Sequence, residues 1–175
     1  MGCDIHAYIE YSDFNDKEGK PYWSPFGGSL NLGRDYSMFA RLAGVRGDES
    51  PLYPPKGLPP DLAFEADTDV KVWVTDDGKA SEGECTTQQA SAWLENGSST
   101  LIVDKKTDEG RHLRAVSHPD WHTHSWLTAE EYRTVLATAR LAGDQFAVTY
   151  YAALAAMESL ERHGAKVRLV FWFDN

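Results

Sequence analysis

The chain has 175 residues, 42% of them hydrophobic and 12% aromatic, which suffices to bury a full core in one domain over residues 1–175. A formal net charge of -10, with Lys and Arg scattered, argues against a nucleic-acid polymer or an anionic membrane as the main partner. Two cysteines, Cys3 and Cys85, cannot build a disulfide framework and match no zinc spacing, so a reduced, cytoplasmic setting is expected.

No stretch approaches the ~20 apolar residues of a membrane span, and the N-terminus does not read as a signal peptide. Met1-Gly2-Cys3 invites lipidation, but His6 stands where an acylation pattern wants Ser or Thr. From Cys3 to Tyr11 the chain alternates as a strand. Cys3, Ile5, Ala7, Ile9 and Tyr11 form an apolar row, and Asp4, His6, Tyr8 and Glu10 form the opposite one. An Asp two residues from a His suits an oriented acid/base pair or two metal ligands, against the plainer reading of a solvated face.

After a polar turn over Asp13–Lys20, Tyr22 to Leu32 reads as a second, Gly-interrupted strand or extended segment, making a hairpin. Asp35 caps a helix through Tyr36, Phe39, Ala40, Leu42 and Ala43, and Gly44 stops it. Arg34, Asp35 and Tyr36 at its start, and Arg46 between Gly44 and Gly47, are candidate ligand-binding residues. Arg forks recognise phosphate or carboxylate, and neighbouring glycine lets a ligand approach the backbone; a bare helix start and a solvated Arg are the alternatives. Residues 51–60 hold five of the eight prolines and predict a stiff extended loop: a pocket wall, a rigid connector or a ligand for proline-binding domains.

Asp69 to Thr75 alternates as a short strand, with Val70, Val72 and Val74 on one face. Thr86 and Gln89 form a capping box for a helix through Ala90, Trp93 and Leu94, closed by Asn96-Gly97 before a strand over Thr100 to Asp104. A second box, Thr128 with Glu131 and Leu127 as hydrophobic staple, starts a helix to about Ala142, broken at Gly143-Asp144. An Ala-rich helix then spans Gln145 to His163, with Gly164 as its stop. The closing strand, Lys166 to Phe173, is partly apolar on both faces and should lie inside a sheet beside the first strand. This order predicts an α+β fold, a mainly antiparallel sheet with first and last strands adjacent and the helices on one face.

His118-Pro119-Asp120-Trp121-His122-Thr123-His124-Ser125-Trp126 is the second cluster with chemical potential, carrying three of the six histidines. His-x-His in an extended segment can ligate a metal, with Asp120 in the same parity. The loop before the Thr128 helix could equally hold a phosphate through His122, His124 and Ser125, or simply pack its Trp and His rings. No Walker loop, Gly-x-Gly-x-x-Gly, Gly-x-Ser-x-Gly or Cys-x-x-Cys is present in the sequence.

Six segments together resemble a family of small uncharacterised phage and prophage proteins. They are Met1-Gly2-Cys3-Asp4-Ile5-His6, Gly33-Arg34-Asp35-Tyr36, Leu42-Ala43-Gly44-Val45-Arg46-Gly47, Lys56-Gly57-Leu58-Pro59, His122-Thr123-His124-Ser125-Trp126-Leu127-Thr128 and Phe171-Trp172-Phe173-Asp174-Asn175. In the family pattern His-Ser-x-Ser-Trp-Leu-Thr, His122 falls on a family position and His124 on a variable one, which weakens the His-x-His metal reading. The resemblance implies a phage accessory protein acting in the cytoplasm of a bacterial host cell, and it brings no activity with it.

On the residues themselves, the leading expectation is an enzyme that binds and hydrolyses a phosphorylated, nucleotide-like small molecule, in keeping with a host-defence signal. Asp4, His6, Tyr8 and His122 would carry the acid/base work, Arg34 or Arg46 would grip the phosphate, and Trp126 would be a further ligand-binding residue, with or without a divalent metal. The alternatives are a protein that sequesters such a nucleotide without turnover, or an inhibitor that binds a host defence protein. A homo-oligomer fits any of the three.

Overall fold

A computed structural model of the chain describes residues 2–76, 78–139 and 144–174. The chain divides into two compact units: Met1–Ala66 with Thr123–Asn175, and Asp67–His122.

The first unit is built on a four-stranded sheet of order β2-β1-β8-β7. Strand β1 (Ile5–Ser12) pairs antiparallel with β2 (Ser24–Pro25) and, along its whole length, with β8 (Lys166–Phe173); β7 spans His122–Thr128. Alternation sends Ala7 and Ile9 of β1, and Val167, Leu169, Phe171 and Phe173 of β8, to one side. There they meet Met38, Phe39 and Leu42 of α1 (Tyr36–Ala43), Tyr132 and Val135 of α4 (Ala129–Thr138), and Tyr150 and Met157 of α5 (Asp144–Arg162). The α+β class, the antiparallel pairing and the adjacency of the two terminal strands are thus all present.

Local chemistry sets the helix limits. Asp35 accepts from Met38 N and Gly44 takes the left-handed conformation (φ 72) that closes α1. Thr128 and Glu131 form the expected reciprocal box, but α4 ends at Thr138, where Ala139 turns extended. The expected end at Ala142 and the break at Gly143 lie outside the described residues.

The second unit holds a sheet of order β4-β3-β6-β5, made of β3 (Lys71–Thr75), β4 (Glu84–Thr86), β5 (Leu101–Lys106) and β6 (His112–Ser117). Helix α3 (Thr87–Glu95), started by the Thr86–Gln89 box, covers one face through Ala90, Trp93 and Leu94 against Val72, Val74, Cys85 and Val116. The alternation expected from Asp69 begins only at Lys71, because Phe64–Val70 wind into a short helix, α2. The unit boundary falls within that helix.

Candidate functional site

The ladder that starts with Ile5 opposite Phe173 continues one step past both strands. Asp174 N donates to Asp4 O, and Asp4 N donates to Asp174 Oδ1 at 2.8 Å. The other oxygen of this carboxylate lies 3.2 Å from His6 Nε2, with the two side chains 26% and 30% exposed. A carboxylate only accepts, so Nε2 carries the proton and the lone pair of the neutral ring resides on Nδ1. The ring also lies parallel to Trp172, with 8° between the planes and 5.8 Å between centroids, which restricts its tilt.

Asp4 engages Arg34 at both oxygens, Nε to Oδ1 and Nη2 to Oδ2. The guanidinium holds the Asp4 carboxyl below the usual carboxylate range, and the carboxylate in turn raises Arg34. Asp4 is therefore a neutralised anion, and three of the five Arg N–H donors lie outside the pair. Asp4, Ile5, His6 and Asp174 line one side of a polar cavity of about 320 Å³, and Ser29, Leu30, Asn31 and Gly33 line the other. A cavity of this size lies within the range of small-molecule sites.

The polar row of β1 does not act as one surface. Tyr8 is buried with its ring stacked on Trp172 at 5.5 Å, so its hydroxyl does not join Asp4 and His6 in lining the cavity. Glu10 is fully buried, accepts from Ala63 N at 2.8 Å and pairs with Arg168 at 2.7 Å. Arg168 also donates to Asp61 at 2.8 Å and lies 3.8 Å from the centroid of the Trp23 ring. Burial raises the Glu10 carboxyl, outweighing the opposing pull of Arg168. This cluster clamps the proline-rich loop to the sheet.

The remaining candidates are placed as follows. Asp35 is buried and its carboxylate serves as the α1 cap. Tyr36 is exposed with its ring tilted against Phe39. Arg46 is exposed, adopts φ 59 and hydrogen-bonds the Cys3 sulfur, a thiol that burial raises. The glycines beside Arg46 also have packing roles: Gly44 closes α1, and a Cβ on Gly47 would stand 2.5 Å from Ala40 Cβ.

The His122 segment is a strand rather than a loop, interrupted by Thr123 at φ 53. His122 opens it as the last residue of the second unit. His124, two residues on, has its ring 6.0 Å from Trp172, the indole that also carries His6 and Tyr8. Ser125 is buried and its hydroxyl accepts from Lys56 N, while Lys56 Nζ sits 4.0 Å above the Trp126 ring and pairs with Glu131. At the α4 N-terminus, Thr128 N donates to the Glu131 carboxylate and Glu131 N to Thr128 Oγ1. Among the described residues, no group of three or more His, Cys, Asp or Glu side chains is arranged to hold a metal ion.

Sequence reasoning gave no role to Asp174, Ser29 or Asn31. Pairing the two terminal strands in register was the signal that could have found Asp174, since it places this residue opposite Asp4. No protein-family model matches the chain, and no curated protein or solved structure matches it either. Among the described residues, no helix is long and apolar enough to cross a membrane.

Proposed function

We propose that the polar cavity is the site of a phage accessory protein that binds and hydrolyses a phosphorylated, nucleotide-like small molecule. The observation that carries this reading is the His6–Asp174 pair lining the polar cavity beside the Asp4–Arg34 pair. In phosphodiester hydrolysis, His6 Nδ1 takes a proton from water as the water oxygen bonds to phosphorus. The P–O bond to the leaving group breaks, and the imidazolium returns the proton to the departing oxygen. Asp174 steadies the imidazolium through Nε2, and Arg34, anchored by Asp4, offers its outer donors to the phosphate at the cavity mouth. Asp4 is assigned to holding Arg34 rather than to proton transfer.

A second reading, sequestration without turnover, is favoured by the engagement of both Asp4 oxygens with Arg34, which leaves the proton transfers to the His6–Asp174 pair alone. Incubation with a panel of cyclic and linear nucleotides, measuring both ligand loss and product, separates the two. Hydrolysis requires product, and His6→Ala should lower its rate by about 10²–10⁴-fold. The melting temperature should move by no more than about 3 °C, because His6 lies outside the apolar core. Nucleotide recovered intact but bound assigns the site to sequestration. A destabilised His6→Ala with full activity refutes both readings.

A further inference from the structure

Between Pro25 and Leu32 the chain follows β1 out of step with it. Phe26 N donates to Ile9 O and Leu30 N to Ala7 O, so four residues on one side span two on the other. The three intervening residues, Gly27-Gly28-Ser29, stand opposite Tyr8 alone and bow away from the ladder, with Gly27 at φ 74 where only glycine is unstrained. Behind this bow lies an apolar groove of about 410 Å³, between Ile9 and Leu30 on one side and Ala152, Ala153 and Ala156 of α5 on the other. The small α5 side chains keep its floor low, and Phe26, 42% exposed, offers a ring at its rim. Ser29, Leu30 and Asn31 line this groove and also the polar cavity of His6, so the two adjoin along this segment.

We infer that the groove seats the base of a nucleoside phosphate whose sugar and phosphate occupy the cavity of His6 and Asp174. The inference rests on the reading of that cavity as a phosphorylated-ligand site and names the ligand class. A planar, largely apolar ring fits a shallow slot with an alanine floor and an aromatic rim, where base–aromatic stacking adds to burial of the faces.

Calorimetric titration with ribose 5-phosphate and with AMP tests this, because the two probes differ only by the base. Wild-type protein should bind AMP at least tenfold more tightly than ribose 5-phosphate. Ala152→Trp, which fills the groove from an exposed helix position, should erase that advantage and leave ribose 5-phosphate unchanged. Gly28→Phe fills it from the opposite wall, where a side chain meets nothing within 4 Å, and should do the same. His6→Ala should weaken both probes. Equal binding of the two probes by wild type, or an AMP advantage that survives both filling variants, overturns the groove and leaves the polar site standing. Failure of wild type to bind either probe at millimolar concentration overturns the polar site, and the groove inference falls with it.

Discussion

Replacing Arg168 with Ala should destabilise the protein far more than any exposed ion pair could. Pairs such as Lys20–Glu18 and Arg111–Glu109 stand in water on both sides, and pairs of that kind contribute about 0–1 kcal/mol. Arg168 and Glu10 have side chains only 5% and 0% exposed, so deleting the cation strands a carboxylate that water cannot reach. Breaking a buried pair from one side costs about 3–5 kcal/mol, which for a chain of this length lowers the melting temperature by roughly 6–20 °C. The pH dependence has a definite sign. Burial already raises the Glu10 carboxyl in the folded state, and losing Arg168 raises it further. A raised folded-state pKa contributes stability that is present in acid and lost as the pH climbs through the raised value. The deficit of Arg168→Ala relative to wild type should therefore be smaller at pH 4 than at pH 7. Replacing both Glu10 and Arg168 with Met should recover most of the loss, since no charge is then stranded. Urea unfolding followed by tryptophan emission reads all three proteins. A cost under about 1 kcal/mol at pH 7, or a double variant no better than the single one, refutes the assignment of this pair as a buried clamp.

Two further substitutions probe the parts that frame the site. Glu131→Gln removes the partner of Lys56 while keeping the bond from Thr128 N, and should cost about 1 kcal/mol at neutral pH in urea unfolding. Lys56 and the Thr128 backbone hold the Glu131 carboxyl low, so its contribution is lost as the pH falls through the carboxylate range. Wild-type and Glu131→Gln melting curves should converge there, and curves that stay apart in acid would count against the pairing. Gly47→Ala would push a methyl into Ala40 Cβ at 2.5 Å and the Tyr36 carbonyl at 3.1 Å, and should cost about 1–3 kcal/mol, measured by thermal melts.

Legibility in the sequence followed how local each signal was. Capping boxes at Thr86 and Thr128, the Asp35 cap and the Gly44 stop are encoded within five residues, and each formed as expected. The final strand was legible because its apolar residues occur in both parities. The strand over His122–Thr128 was harder to see, as the Pro119-Asp120 turn signal and the following capping box both suggest a loop. The polar row of β1 shows the limit most clearly. Alternation places Asp4, His6, Tyr8 and Glu10 on one face, but no local rule states that a proline-rich loop and Trp172 cover the inner half of it. Arg168 lies 158 positions from Glu10, and only the β1/β8 register brings the two together.

The same register explains why one polar row carries two kinds of chemistry. In the middle of the ladder Val170 is fully buried and Tyr8 nearly so, so a carboxylate there needs an internal partner, which Arg168 supplies. At the end of the ladder the sheet gives out, and His6 and Asp174 retain contact with solvent while still held by backbone bonds. The geometry of that pair depends on the core at a distance. Phe171 and Phe173 on the opposite face are fully buried beside Phe39, and the position they fix for β8 aligns Asp174 with Asp4. A slip of one residue would turn both rings to the wrong side, and a slip of two would carry the Asp174 carboxylate about 7 Å along the strand, beyond reach of His6 Nε2. Packing on the apolar face therefore sets the geometry of the His6–Asp174 pair on the polar one.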